Sequence, residues 1–403
     1  MPDKLLIDLF SAYFTARKNK RNSRDALEFE INYEHNLFKL YQDLKNGSYY
    51  PDKSIAFIVS YPVKREIIAS SFRDRVIHHL IFNYINPIFD PSFINDSYSC
   101  RRGRGTSYGI KRLQHFIRSC SDNYNQDCYI LKLDLSGYFM SVNRKILYEK
   151  IEKKLFKEKN NINFDINLVL DLIKKIIFKD YTSNCIIYND FKDWQGLPKN
   201  KSLFFVDSSL GLPIGNLTSQ LFSNIYLNEF DHFIKRTLKF NYYGRYVDDF
   251  VIVDNNKEKL KKSIPIIKEY LIKHLELKLH PKKIYLQSFN KGVDFLGVVI
   301  KPYICLCRNR IKYNIYKTIE QINKSLETQH ISEIKFKKII SQINSYLGFL
   351  NQVKGCNLKK NIFEKKLRLS FLSFFYYNRN CEKVFVGFCF NKKYNLFLYE
   401  INK

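Results

Sequence analysis

Three carboxylates at two strand ends carry the most chemistry in this sequence. Asp248 and Asp249 stand side by side in Gly244-Arg245-Tyr246-Val247-Asp248-Asp249-Phe250-Val251-Ile252-Val253, where apolar, strand-forming residues flank the pair. Asp134 closes a second such run, Tyr129-Ile130-Leu131-Lys132-Leu133-Asp134. Neighbouring carboxylates repel, and burying one is costly unless a cation or a donor compensates it. Taken alone, Asp248-Asp249 reads most simply as a surface turn. Asp134 changes that reading, because strands of one antiparallel sheet can bring all three acids together. Three carboxylates can bridge and charge-balance two divalent cations about 3.5–4 Å apart, the arrangement that two-metal phosphoryl transfer requires.

The bulk composition says what such a centre would act on. Lys and Arg number 67 against 39 Asp and Glu, a formal net charge of +28 at pH 7 with a pI near 9.5. That excess is larger than an ordinary metabolic enzyme carries. It points to a polyanionic partner, nucleic acid ahead of an anionic membrane surface. Aromatic residues make up 16% of the chain, with 29 Tyr and 34 Phe, and such rings can stack on bases and sugars. Abundant Lys, Asn and Ile also fit a compositional bias that accounts for part of the charge. A chain of 403 residues with 45% hydrophobic content suits two or three domains. The nine cysteines include no C-x-x-C pair, so neither a disulfide framework nor a zinc site is expected, and a reducing compartment fits. The first ten residues do not resemble a signal peptide, and no apolar run approaches the roughly 18 residues of a membrane span. A soluble, cytoplasmic protein without a membrane partner is expected.

The carboxylate strands need a scaffold, and the periodicities supply one. Ser23 is placed as the N-cap of a helix whose apolar positions Leu27, Ile31, Phe38 and Tyr41 run to a stop at Asn46-Gly47. Before it, Arg17, Lys18, Lys20, Arg21 and Arg24 form a basic arm that suits a phosphate contact or a solvated helix face. Residues 56–69 alternate like strands around Tyr61-Pro62-Val63-Lys64-Arg65, and 72–80 read as a helix. Glycines between Arg101, Arg102 and Arg104 let the backbone approach an anion, with Thr106 expected to cap the following helix. Residues 143–180 read as helical, and the turn at 211–215 leads into a helix from about Leu217 to Lys235. The carboxylate hairpin spans 241–254, and a helix with a basic outer face spans 257–275. Phe295-Leu296-Gly297 opens a strand pair, residues from about Tyr313 to Tyr377 read as helical and basic, and 383–400 read as a hairpin around Asn391-Lys392-Lys393.

In this order the motifs resemble those of reverse transcriptases, in the branch of bacterial retroelement enzymes. Asp134 with Phe139 five residues on is similar to the first palm motif, and Gly211-Leu212-Pro213-Ile214-Gly215-Asn216-Leu217-Thr218-Ser219-Gln220 to the second. Tyr246-Val247-Asp248-Asp249 resembles the third, Leu277-Lys278-Leu279-His280-Pro281-Lys282-Lys283 the fourth, and Phe295-Leu296-Gly297 the primer grip. The resemblance runs from about residue 25 to 355. It implies an α+β, right-hand polymerase fold: a basic helical extension at 1–50, fingers at 51–120 and a palm at 121–300 with a helical insertion at about 143–205. A helical thumb at 301–377 follows, and a hairpin tail at 378–403 lies outside the common plan.

The resemblance also implies roles. Asp134 and Asp248 would bind two Mg²⁺, with Asp249 a weaker partner, the carbonyl of Leu135 a further ligand, and Mn²⁺ able to substitute. Lys64 and Arg65 would clamp the triphosphate of a dNTP, for which a guanidinium fork is well suited. Phe139, or the adjacent Tyr138, would lie beneath the sugar and leave no room for a 2′-hydroxyl. Ile214, Gly215 and Gln220 would line the nucleotide site. Lys283, or its neighbour Lys282, would protonate the departing pyrophosphate. Arg101, Arg102, Arg104 and Phe295-Leu296-Gly297 would contact nucleic acid. Ile214 and Gln220 replace the Gln and Pro of most reverse transcriptases. That pattern is similar to enzymes of diversity-generating retroelements and of antiphage defence. Ile cannot make the hydrogen bond that Gln can, which would relax base selection, or it simply fills the same volume. Met140 stands where relatives often carry Asp, and the tail offers no carboxylate set for an RNase H domain.

The expected activity is RNA-directed DNA synthesis on a dedicated, structured non-coding RNA, with a DNA primer or product. An accessory protein, a second polymerase subunit or a homo-oligomer would complete the partners. Untemplated or protein-primed DNA synthesis is the first rival reading. The second is a catalytically retired, RNA-binding scaffold, which would normally have lost the acids that this chain retains. The charge yields a prediction of its own. Affinity for RNA, measured by filter binding from low to high salt, should fall steeply and linearly in log–log form as counterions are released; a flat response would contradict the polyanion argument.

Overall fold

The computed structural model describes residues 3–353 except 19, 21–22, 61–62, 184, 189, 328–332 and 352, together with 358–359, 361, 375–377 and 384–386. In chain order its helices and strands are α1 (Lys4–Arg17), α2 (Arg24–Ile31), α3 (Tyr33–Lys45), β1 (Ser54–Val59), β2 (Arg65–Ala69), α4 (Phe72–Phe89), α5 (Thr106–Cys120), β3 (Tyr129–Asp134) and α6 (Tyr138–Ser141). Then follow α7 (Arg144–Lys157), α8 (Ile166–Ile177), β4 (Cys185–Ile187), α9 (Leu217–His232), β5 (Tyr242–Tyr246), β6 (Asp249–Asp254), α10 (Lys257–Leu275) and β7 (Tyr285–Ser288). The last described elements are β8 (Val293–Phe295), β9 (Val298–Lys301), β10 (Ile304–Cys307), α11 (Asn309–Glu327), α12 (Glu333–Leu350), β11 (Phe375–Tyr377) and β12 (Val384–Val386).

The chain divides into two compact units, residues 1–109 with 131–286 and residues 110–130 with 287–403. In the first, α9 is apolar on nearly every side: Leu221, Phe222, Ile225, Tyr226, Leu227 and Phe230 are all buried. A helix of that kind belongs in a core, and α4 packs between it and α1. One sheet runs in the order β5-β6-β3-β7, which seats β3 directly beside the strand that begins with Asp249. A smaller sheet runs β2-β1-β4, with β1 antiparallel to β2 and parallel to β4. In the second unit β8, β9 and β10 form an antiparallel sheet. Its first turn is Leu296-Gly297, both at positive φ, the two-residue geometry that matches strand twist.

Several elements depart from their sequence expectations. The single helix expected from Ser23 breaks at Asn32 (φ −126°, ψ 44°) into α2 and α3. Ser23 makes no side-chain cap; its hydroxyl donates to the carbonyl of Lys20 instead. Thr106 is the first residue of α5 rather than its cap. After α9 the chain continues as one wide π-helical turn, Phe233–Thr237. The stretch read as helical to Tyr377 ends in strand, since Phe375–Tyr377 pairs antiparallel with Val384–Val386. The expected turn at Asn391-Lys392-Lys393 and its second arm lie outside the described residues, as do Tyr61 and Pro62.

One charged contact fixes the first unit. Arg245 on β5 and Asp231 on α9 are both fully buried. Nε donates to Oδ1 at 2.8 Å and Nη2 to Oδ2 at 2.7 Å, a two-pronged pair. Tyr243 donates to the same carboxylate at 2.6 Å. The remaining guanidinium hydrogens reach Val247 O at 3.0 Å, Asn224 Oδ1 at 3.4 Å and Ser97 Oγ at 3.3 Å. Burial works against the charge on Arg245, but Asp231 outweighs it and raises the guanidinium further above its ordinary value. Asp231→Leu or Arg245→Met alone should each cost about 3–5 kcal/mol of folding stability, because a buried charge is then stranded. The double variant Asp231→Leu/Arg245→Met should lose less than either. Urea denaturation of all three variants checks this, and additive losses would refute the coupling.

Candidate active site

The β5–β6 hairpin pairs Tyr246 with Asp249 and leaves Val247-Asp248 as its tip. Val247 sits at φ +57°, a conformation that a β-branched residue adopts at a cost of about 1–3 kcal/mol. Both of its backbone groups are held there. Its N–H donates to Ser99 Oγ at 3.3 Å, and its carbonyl accepts from Arg245. Next to the tip, Tyr98 packs so closely on Gly244 that no Cβ would fit, which explains the glycine.

The same hydrogen-bonding logic brings Asp134 to this tip. Leu135 N donates to Asp248 O at 3.2 Å, and His280 N donates to Asp134 O at 2.8 Å. Ser136 N donates to Lys278 O at 2.9 Å. The first, third and fourth motifs therefore meet at one end of the sheet. Lys283 Nζ lies 3.0 and 2.9 Å from the two oxygens of Asp134, whereas Lys282 is exposed and only its backbone N–H turns inward, to His280 Nδ1. Lys132, two residues before Asp134 and on the same strand face, lies 3.1 Å from Asp249 Oδ2. Lys132 belongs to none of the recognised motif positions, although its alternation with Asp134 is visible in the sequence.

The electrostatics are unbalanced. Burial, then the charge of Asp134, push Asp248 above the usual carboxylate range, with Lys283 and Arg65 opposing. Burial raises Asp249 to about 6 despite Lys132. Asp249 Oδ1 is buried with no hydrogen-bond partner among the described residues. Among those residues no three His, Cys, Asp or Glu side chains stand close enough together to hold a metal ion; ammonium groups sit on Asp134 and Asp249 instead. Repelling carboxylates, one with an orphaned oxygen, suit a hard divalent cation in donor type, though as they stand they are not drawn together around one.

The residues expected on the nucleotide side sit on or beside β2, in α6 and around the turn that leads into α9. Strand alternation turns Glu66 inward, where Trp194 Nε1, Ser202 Oγ and Leu203 N all donate to it. Arg65 is left exposed, and its charge reaches Asp248. Lys64 donates to Gln195 O at 2.7 Å. Of the two candidate rings, Tyr138 is buried and its hydroxyl donates to Ser223 O at 2.6 Å, while Phe139 is half-buried at the edge of a cluster that includes Ala56, Ile68 and Met140. Ile214 packs against the same cluster and its carbonyl accepts from Ile68 N at 2.9 Å. Gly215 (φ +135°) lies on β2, where a Cβ would come within 3.0 Å of Ile67 Cγ2. Gln220 is exposed.

The arginine turn divides. Arg101 is committed to Asp90 and to the carbonyls of Asp90, Ile94 and Ser97, so it braces the loop. Arg104 lies over the Tyr108 ring and donates to Asn95 at 2.5 Å, and Arg102 is exposed. Phe295 belongs to the second unit and is fully buried in it; only Leu296 and Gly297 reach its surface.

Comparison with known proteins gives this geometry a family. Residues 63–300 match the reverse transcriptase (RNA-dependent DNA polymerase) family. Protein YkfC of Escherichia coli (strain K12) is 22% identical over 337 residues, 76% of this chain and 78% of that protein. The group II intron-encoded protein LtrA of Lactococcus lactis subsp. cremoris is 24% identical over 213 residues, 50% of this chain and 28% of that protein. Among solved structures, apo telomerase from Candida tropicalis truncated from its C-terminal domain aligns with a TM-score of 0.46 at 14% identity, covering 64% of this chain and 55% of its own. Telomerase from Candida albicans, in complex with a fragment of telomeric RNA, aligns with a TM-score of 0.48 at 13% identity, covering 84% and 60%. No described helix is long and apolar enough to cross a membrane. The family match takes in more than half of the chain and both acidic strand ends, so the chain belongs to the reverse transcriptases, RNA-dependent DNA polymerases of the nucleotidyltransferase class with an α+β, right-hand polymerase fold.

Proposed function

We propose that this chain copies an RNA template into DNA by two-metal phosphoryl transfer, and that the template is a dedicated non-coding RNA used in antiphage defence or in a diversity-generating retroelement. The observation that carries the chemistry is the meeting of Asp134 with the Asp248 hairpin, joined through Leu135 N and Asp248 O. Asp134 and Asp248 would hold Mg²⁺, or Mn²⁺ in its place, with the Leu135 carbonyl and more weakly Asp249. When bound, such cations neutralise charge on the attacking and leaving oxygens. Lys283, released from Asp134, has an ammonium free to donate a proton to departing pyrophosphate. Arg65 and Lys64 face the triphosphate as cations. Phe139, the half-buried ring of its pair, supports the sugar and excludes a 2′-hydroxyl. The pattern of Ile214 and Gln220 supports the bacterial branch, and the excess of +28 supports a long polyanionic partner.

Primer extension on a defined RNA template tests this reading. Asp134→Ala or Asp248→Ala should lower synthesis by on the order of 10³-fold or more while the thermal melt stays near wild type. Retained synthesis with dNTPs and Mg²⁺ would sink the two-metal assignment. Omitting single dNTPs separates templated from untemplated synthesis, because a templated product stops where its template calls for the missing one. Phe139→Ala should raise ribonucleotide incorporation by about 10- to 100-fold relative to dNTP. Unchanged discrimination would make Phe139 a packing residue only.

A further inference from the structure

The second motif is fastened to β2 by a buried polar joint that the roles above leave unused. Ile68 N donates to Ile214 O at 2.9 Å, and two residues on Ser70 N donates to Asn216 Oδ1 at 3.1 Å. Between these bonds Gly215 lies flat on Ile67 and Ile68. A third element closes the joint. His78, on α4 and only 2% exposed, sets Nε2 3.0 Å from Ser70 Oγ and Nδ1 2.7 Å from Thr218 Oγ1 in the first turn of α9. Ser70, Asn216 and Thr218 are buried as well.

The ring is well suited to a fixed span. Burial, reinforced by Lys179, His79 and Arg75, pushes its pKa down to about 3, so it keeps one N–H and one lone pair. Each hydroxyl then has one complementary role, and the two contacts lie on opposite sides of a rigid ring. Asn216 spends its Oδ1 on Ser70 N, while its Nδ2 is buried without a partner among the described residues. Arg65 lies three residues before Ile68 on the same strand. What holds residues 67–70 against 214–218 therefore sets the gap between the exposed guanidinium and the Ile214-Gly215 turn.

We propose that His78 is a positioning residue for the incoming nucleotide, fixing through Ser70 and Thr218 the distance between the Arg65 strand and the second-motif turn. This rests on the reading of Arg65 and the second motif as the nucleotide site. The role is indirect, so the readout must separate nucleotide binding from folding and from chemistry.

Steady-state kinetics with a single dNTP on a defined primer and RNA template, beside thermal melts, provide the test. His78→Leu removes both contacts and strands two hydroxyls. It should raise the KM for dNTP about tenfold, change kcat less than about threefold and lower the melting temperature. His78→Gln, which retains one donor and one acceptor, should fall between His78→Leu and wild type. The decisive variant is Ser70→Ala/His78→Leu/Thr218→Val. With the ring and both of its hydroxyl partners made apolar together, it should regain most of the melting temperature, and still keep the raised KM. Recovery of KM together with the melting temperature would make the joint structural only and overturn the proposal, as would a His78→Leu effect confined to kcat. Arg65→Ala is the control on the underlying reading. If it raises KM while the His78 variants do not, the proposal fails alone; if it leaves KM at wild type, the nucleotide-site reading fails and the proposal with it.

Discussion

The buried pair of Arg245 and Asp231 is the constraint on which the catalytic end depends. It ties the strand leading into the hairpin to the helix that fills the core, and it reaches past both to the carbonyl of Val247. A valine at positive φ would relax unless its backbone were held from both sides. Here the guanidinium holds one side and Ser99 the other. Because Asp248 O also accepts from Leu135 N, the position of the Asp134 strand end follows from the same contact. A buried ion pair is weak evidence of stability in itself. Its value in this fold is geometric: one planar, two-pronged contact orients a strained turn.

A rigid tip explains how so much like charge can be gathered in one place. Two of the acids each carry an ammonium group, Lys283 on Asp134 and Lys132 on Asp249, and among the described residues Asp248 has no comparable partner. The two lysines are not equivalent. Lys283 follows a turn and its side chain is 46% exposed, so it can swing into water. Lys132 is rooted in the middle of β3 and is 18% exposed, so leaving Asp249 would cost it a compensated, largely buried charge. The two cations thus differ in how far burial holds them to their acids.

How far the sequence foretold this depended on whether a feature is local. The hairpin was legible because turn and strands are consecutive, and α10 runs from Lys257 to Leu275 over the expected span of 257–275. The convergence of Asp134 with Asp248 was legible through motif order. The uses of charge were not. Arg101 looked like an anion ligand among glycines, yet it is spent on Asp90 and three carbonyls. Arg245 sits inside the most informative motif of the chain, yet its partner comes from α9 and is invisible to any local pattern. The break at Asn32 was hidden because apolar residues continue on either side of it with nearly the same period. The preference between Tyr138 and Phe139 needed the hydroxyl's partner, Ser223, more than eighty residues away.

The second motif shows what such non-local ties leave available. In its turn the carbonyl of Ile214 already accepts from Ile68 N. The side chain of Ile214 offers no hydrogen bond, and Gly215 offers no side chain. On the proposed reading of this turn as the nucleotide edge, its side chains present shape and apolar surface but no directed hydrogen bond. Selection at such an edge would rest on how well a base pair fits a wall of fixed position. The stiffness of the joint behind that wall then matters more than it would if a glutamine contributed its own directed contact.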